Sequence, residues 1–188
     1  MGRVYPLIDD RLRDWLGNQA VFFVATAPLS ADGHVNLSPK GVRGTFTILG
    51  PHTVAYLDLT GSGVETIAHI QENGRITFMF CAFEGPPRIL RLYGRGEVLQ
   101  PGDSGFEDLL GRFPPEEGTR AVIRAEVERI ADSCGYGVPL MVLEDDREQI
   151  HTWAQRKGPD GLDRYRQDKN ALSLDGLPGL AGRASRSS

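Results

Sequence analysis

Between residues 20 and 99 the chain alternates short apolar runs with turn signals at close spacing, and that rhythm limits the folds open to it. Ala20-Val21-Phe22-Phe23-Val24-Ala25-Thr26 is apolar up to its last residue and reads as a strand buried on both faces. Ala31-Asp32-Gly33 supplies hairpin-turn chemistry, and residues 34–40 alternate well enough to form the return strand. Gly50-Pro51-His52 separates Thr45-Phe46-Thr47-Ile48-Leu49 from Thr53-Val54-Ala55-Tyr56-Leu57, a second hairpin. Residues 75–83 and 88–99 read as a fifth and a sixth strand. Closely spaced strands joined by tight turns build an antiparallel sheet, and this many point to a barrel or sandwich rather than a parallel α/β sheet.

The helices predicted around this sheet are peripheral, so the fold class is mainly β with some α. Leu7, Ile8, Leu12, Trp15 and Leu16 suit a short amphipathic helix ending at Gly17, and Asn73-Gly74 stops another over residues 64–73. Residues 103–110 offer a helical turn or two, capped by Asp103 or Ser104. Residues 121–130 fit a helix face through Val122, Glu126 and Ile130 or a strand through Ile123, Ala125 and Val127, and the strand is preferred. Helical patterns over 145–157 and 162–169 form a C-terminal extension beginning at about residue 144. A chain of 188 residues suits one domain, here 1–180, with the small, polar and basic residues 181–188 a disordered tail.

The formal net charge of −4 gives no general attraction to nucleic acid or anionic membrane, so an anionic ligand must be held by local arrangement. No apolar run approaches bilayer length, and residues 1–6 lack the apolar stretch of a secretory signal, which reads as a cytoplasmic protein. Cys81 and Cys134 are too few for a disulfide framework, and the histidines at 34, 52, 69 and 151 follow no ligand pattern, so no metal is assigned.

The segment Asp58-Leu59-Thr60-Gly61-Ser62-Gly63-Val64-Glu65-Thr66 joins a strand to a helix start. Ser62 and Glu65 have capping-box spacing, and the glycines free the backbone to turn. Two readings stand: a helix cap with a turn, or a phosphate site made of backbone N–H groups, hydroxyls and the positive end of a helix. A helix end carries roughly half a charge against nearly two on a phosphate monoester, so a site of this kind needs a cation. Asn36, Ser38 and Lys40 share one side of an extended segment and offer two neutral groups and that cation, with Leu37 facing away. A solvated strand face explains the same pattern. Strand alternation also points Arg91, Tyr93 and Arg95 one way and Arg88 the other, which suits anion recognition or an ordinary exposed sheet face. No nucleophile, base and orienting acid can be picked out together, which points to a cofactor if chemistry is done.

Taken together, the segments Asn36-Leu37-Ser38-Pro39-Lys40-Gly41, Tyr56 to Gly63 with Glu65-Thr66, and Phe83 to Gly96 resemble the pyridoxamine 5′-phosphate oxidase-like FMN-binding split β-barrels, in particular the oxidase-related group. Segments at 133–139 and 175–179 extend the resemblance over nearly the whole chain. The resemblance implies a six-stranded antiparallel split β-barrel acting as a homodimer, with FMN in clefts between subunits. It assigns Asn36, Leu37, Ser38 and Lys40 to one wall of the flavin, Tyr56, Leu57 and Asp58 to its length, and Thr60, Gly61, Ser62, Gly63 and Thr66 to its phosphate. Arg88 and Arg91 would come from the partner subunit. The oxidases carry Ser-Arg-Lys where this chain has Ser62-Gly63-Val64, so two cations are missing and Lys40, Arg43, Arg88 or Arg91 must replace their charge. A glutamine of the oxidases falls near Ile89, and their C-terminal arginine-bearing substrate motif is absent. The expectation is therefore an FMN-dependent oxidoreductase of the pyridoxamine 5′-phosphate oxidase-related type, acting on an unknown small molecule. A non-enzymatic flavin carrier or sensor is the alternative, and a haem-binding split barrel a third.

Overall fold

The computed structural model describes residues 2–180. In chain order it contains β1 Val4–Tyr5, α1 Asp10–Gly17, β2 Phe22–Thr26, β3 Asn36–Lys40, β4 Phe46–Gly50, β5 Thr53–Leu59 and α2 Glu65–Asn73. There follow β6 Arg75–Cys81, β7 Ile89–Leu99, α3 Phe106–Leu110, β8 Thr119–Ser133 and α4 Gln149–Lys169. The strands form one eight-stranded sheet in the order β3-β2-β6-β7-β8-β5-β4, with β1 added against β8. Every pairing is antiparallel. The edges β3 and β4 do not pair with each other, so the sheet curls without closing, as in a split barrel. The six strands read from residues 20–99 are all present, joined by β8, which extends the segment read as a strand at 121–130, and by the two-residue β1.

Alternation along the strands produces the core. Val24, Tyr56, Phe78, Leu92 and Ile123 point inward, and Phe22 of β2 meets Phe46 of β4 at 5.1 Å between ring centroids, packing the two ends of the curled sheet together. On the outer face Ala55, Leu57, Leu99 and Val122 pack against Phe106 of α3 and Phe113. Strand β2 is not buried on both faces as expected. Phe22, Val24 and Thr26 are buried while Phe23 and Ala25 are half-buried, because a curled antiparallel sheet has one inner face and its outer face is covered only in part.

Asp9 caps α1 by accepting from the Leu12 N–H at 2.8 Å. Helix α3 has no side-chain cap: Gly105 stands at its N-cap in the left-handed region, and Asp103 accepts from the Gln100 N–H instead. In α4 a single non-helical residue, Gly158 at φ +61°, precedes Pro159 and divides the two helical segments read from the sequence. Beyond α4, residues 170–180 return over the start of α2: the Leu174 N–H donates to Glu65 and Asp175 pairs with His34 at 2.6 Å. The tail expected at 181–188 lies outside the described residues.

Candidate functional site

Strand β5 runs straight into the loop 60–64, and α2 begins at Glu65 with Val64 at its N-cap and no side-chain capping bond. The expected Ser62 and Glu65 capping box is therefore absent. Ser62 is exposed, and Glu65 turns to the Leu174 N–H of the returning C-terminal segment. No backbone N–H of Gly61, Ser62 or Gly63 finds a backbone or side-chain acceptor among the described residues. The loop is held from the other side, through its carbonyl and hydroxyl oxygens. Asn170 Nδ2 donates to the Gly61 carbonyl at 2.9 Å, and Thr60 donates its hydroxyl to the Gly118 carbonyl while accepting from Arg166 Nε. This leaves donors of the loop available to an acceptor that the chain does not itself supply.

A cavity of about 370 Å³ opens beside this loop. Among the residues singled out from sequence, Asn36, Ser38, Lys40, Leu57, Thr60, Gly61, Gly63 and Thr66 line it. Register explains how they meet: β3 and β5 stand near opposite ends of the sheet path, and the curl brings their faces together. Asn36 Nδ2 donates to the hydroxyls of Thr66 at 2.9 Å and Thr26 at 3.2 Å, and Ser38 donates to Asn36 Oδ1. Thr26 in turn sits 3.0 Å from Nδ1 of His69, a histidine whose pKa burial pushes down. These bonds fix the polar wall of the cavity before any ligand arrives.

The other candidates do not line the cavity. Leu37 is 62% exposed on the outside of β3. Tyr56 is fully buried against Phe22 and Phe78, where burial first and the charge of Asp58 second push its phenol well above the ordinary value. Asp58 lies beneath the cavity floor with no exposed surface, accepting from Lys40 Nζ at 3.0 Å and Arg120 Nε at 2.7 Å. Burial pushes its carboxyl up, but the charges of Lys40 and Arg120 outweigh this and hold it below the usual carboxylate range. Arg88 lines a larger cavity instead, stacked over Trp15 and Tyr5 and hydrogen-bonded to the Tyr5 hydroxyl. Arg91 bonds Ser133 and Arg43 pairs with Asp146, so within one chain only Lys40 of the expected replacement cations reaches the cavity.

Two cations at the loop went unread in the sequence. Arg120, at the head of β8, lines the cavity, and Arg166 of α4 sits behind the loop on Thr60 and the Thr119 carbonyl. A signal for the first existed: Asp58 stands in an apolar strand, and a carboxylate there requires a buried cation. Which cation was decided by the β5 to β8 register, in which Asp58 pairs with Ala121 and so lies beside Arg120.

Gly41, Val42 and Ile150 line both this cavity and a larger one of about 1,320 Å³ between the body and residues 141–151. On the wall of the larger cavity His151 Nδ1 meets Glu116 at 2.9 Å. The sequence offers no recognisable base with an orienting acid, whereas the fold makes this one from residues in α4 and the loop before β8. Among the described residues Nε2 of His151 has no partner, so a proton can be held or passed there.

The family model described as pyridoxamine 5′-phosphate oxidase matches residues 8–134, more than half of the chain. The chain belongs to the pyridoxamine 5′-phosphate oxidase family. A curated relative, the pyridoxamine 5′-phosphate oxidase family protein ustO of Aspergillus flavus, is 41% identical over 94% of this chain and 77% of its own length. Among solved structures, HupZ of Group A Streptococcus is 25% identical over 72% of this chain and 99% of that one, with a TM-score of 0.51. In this chain the strand-loop-helix at 56–66 is flanked by cations from β3 and β8, Lys40 and Arg120. Among the described residues no helix is long and apolar enough to cross a membrane.

Proposed function

We propose that this chain is an FMN-dependent oxidoreductase acting on a small molecule, with one flavin-binding domain over residues 1–180 and the phosphate end of the flavin in the cavity beside loop 60–64. The observation that carries the reading is that cavity: donors of the loop left without acceptors, hydroxyls of Ser38, Thr60 and Thr66, and two cations, in a member of this family. The larger cavity stands next to it across the shared lining residues Gly41, Val42 and Ile150, and offers room for the remainder of the flavin and a substrate. Bound there, flavin supplies hydride exchange at N5. The chain's part is to hold the phosphate through Lys40 and the loop, to orient the flavin between β3 and β5, and to hold a proton on His151 with Glu116 fixing the ring. A homodimer with the cofactor near the subunit interface is supported by Leu140 and Val142, which stand 80% and 83% exposed on the arm that forms the outer wall. We place the protein in the cytoplasm, with neither nucleic acid nor membrane as a partner.

Absorbance of the purified protein, with mass spectrometry of any released ligand and titration of the stripped protein with FMN, tests the reading. A flavin spectrum, or saturable FMN binding, followed by bleaching with NADH or NADPH is expected. Bound FMN that neither nucleotide reduces would support the carrier alternative, and protein that takes up no flavin would remove the proposal.

A further inference from the structure

One buried and one half-buried cation share a buried carboxylate at the floor of the smaller cavity. Lys40 and Arg120 both bond Asp58, whose side chain is fully enclosed, and the Arg120 side chain is only 5% exposed. One negative charge balances one of the two positive charges, so a full positive charge is left over in a place where an unpaired charge is costly. Of the five N–H donors of a guanidinium, Nε of Arg120 is used by Asp58 and one Nη1 donor makes a long 3.4 Å contact with the Gly61 carbonyl. The others have no acceptor among the described residues, and Arg120 lines the cavity. Glu65 stands at the cavity wall, but its carboxylate is directed to the Leu174 N–H and makes no bond to either cation.

We infer that Arg120, fixed by Asp58 and acting with Lys40, is the anion receptor of this chain, and that it takes the phosphate of a flavin mononucleotide in place of the two cations missing from the loop. The inference rests on the flavin reading for the identity of the ligand, but the receptor itself follows from the charge balance. Asp58 is a positioning residue in this arrangement: it holds the guanidinium beside the Gly61 carbonyl at the cavity wall. A planar fork pinned along one edge presents its remaining edge for bidentate contact with phosphate oxygens, which a lysine does not reproduce.

The test compares FMN, riboflavin and inorganic phosphate on wild-type protein, Arg120→Gln and Arg120→Lys, with binding followed by quenching of flavin fluorescence and by thermal shift. Arg120→Gln leaves Asp58 paired one-to-one with Lys40, so the clamp stays neutral, and circular dichroism with riboflavin binding reports whether the fold survives. Wild type is expected to prefer FMN over riboflavin by about tenfold to a hundredfold, the range of a charge-assisted contact. Arg120→Gln should lose that preference with riboflavin affinity unchanged, and Arg120→Lys should recover only part of it. Retention of the full FMN preference by Arg120→Gln, or equal affinity of wild type for FMN and riboflavin, would overturn the inference. If no flavin binds at all, inorganic phosphate decides: phosphate that stabilises wild type but not Arg120→Gln upholds the receptor while the flavin reading fails, and phosphate that stabilises neither or both removes the receptor.

Discussion

Replacing Asp58 by Asn removes one charge from the centre of the buried clamp while keeping its shape. In the native chain that carboxylate bonds Lys40 at 3.0 Å and Arg120 at 2.7 Å. The substitution leaves two cations facing each other, one of them almost wholly enclosed, and an amide that can accept through only one oxygen. Breaking a buried pair by removing one partner costs about 3–5 kcal/mol, which for a chain of this size corresponds to a fall in Tm of roughly 6–20 °C. The acid limb should change as well. The Asp58 carboxyl is held below its ordinary value in the folded state, so its contribution is complete above the unfolded carboxyl's pKa and is lost as pH falls through the lower folded value. Asp58→Asn should therefore lose least, relative to wild type, at the acid end. Urea unfolding from neutral pH down to the acid transition, in phosphate-free buffer so that no anion replaces the carboxylate, measures both effects. The double variant Asp58→Asn with Arg120→Gln should recover part of the loss, because it removes the enclosed cation and returns the clamp to its native net charge, carried by the half-buried Lys40. A neutral-pH difference below about 1 kcal/mol, or an Asp58→Asn penalty that does not shrink toward acid pH, would refute the buried-clamp account.

Gly179→Ala places a Cβ 2.4 Å from the Asn170 carbonyl oxygen and 2.8 Å from the Val64 methyls, so the C-terminal segment should lift from α2, and limited proteolysis should cut within 170–180 faster than in wild type. Gly94→Ala sits at the bulge between β7 and β8, where the new methyl would lie 2.0 Å from the Glu126 carbonyl oxygen. Overpacking against backbone predicts a loss of about 1–3 kcal/mol in urea unfolding, and an unchanged midpoint would show that the bulge relaxes freely. Leu140→Asp combined with Val142→Asp should shift a dimer to monomer in light scattering without lowering the Tm of the monomer, since both side chains are largely exposed in the single chain.

The strand content was legible because it depends on local spacing. The hairpin signals at 31–33 and 50–52, the β-branched run at 53–57 and the stop at Asn73-Gly74 each act within a few residues, and each appears in the folded chain near its expected place. The strand reading of 121–130 also stands, within the longer β8. The Ser62 cap failed because capping depends on where the first helical residue falls, and the returning segment 170–180 draws Glu65 away from the role the box requires. The burial of β2 on both faces failed for a related reason: an apolar run states that its residues tolerate burial, and the curl of the sheet decides which of them receive it.

Residue types and their spacing determined an antiparallel, mainly β sheet, a glycine-bearing strand-loop-helix suited to an anion, and a polar face carrying Asn36, Ser38 and Lys40. They carried, in Asp58 within an apolar strand, a signal of a charged partner that went unread. Only the tertiary structure decided that this partner is Arg120, more than sixty positions along the chain by the numbering. It likewise turned Arg88 and Arg91 to other partners and brought His151 to Glu116. Charge pairing acts through space over a few ångströms, and sheet register and curl, which no local pattern encodes, fix which distant residues come within that reach.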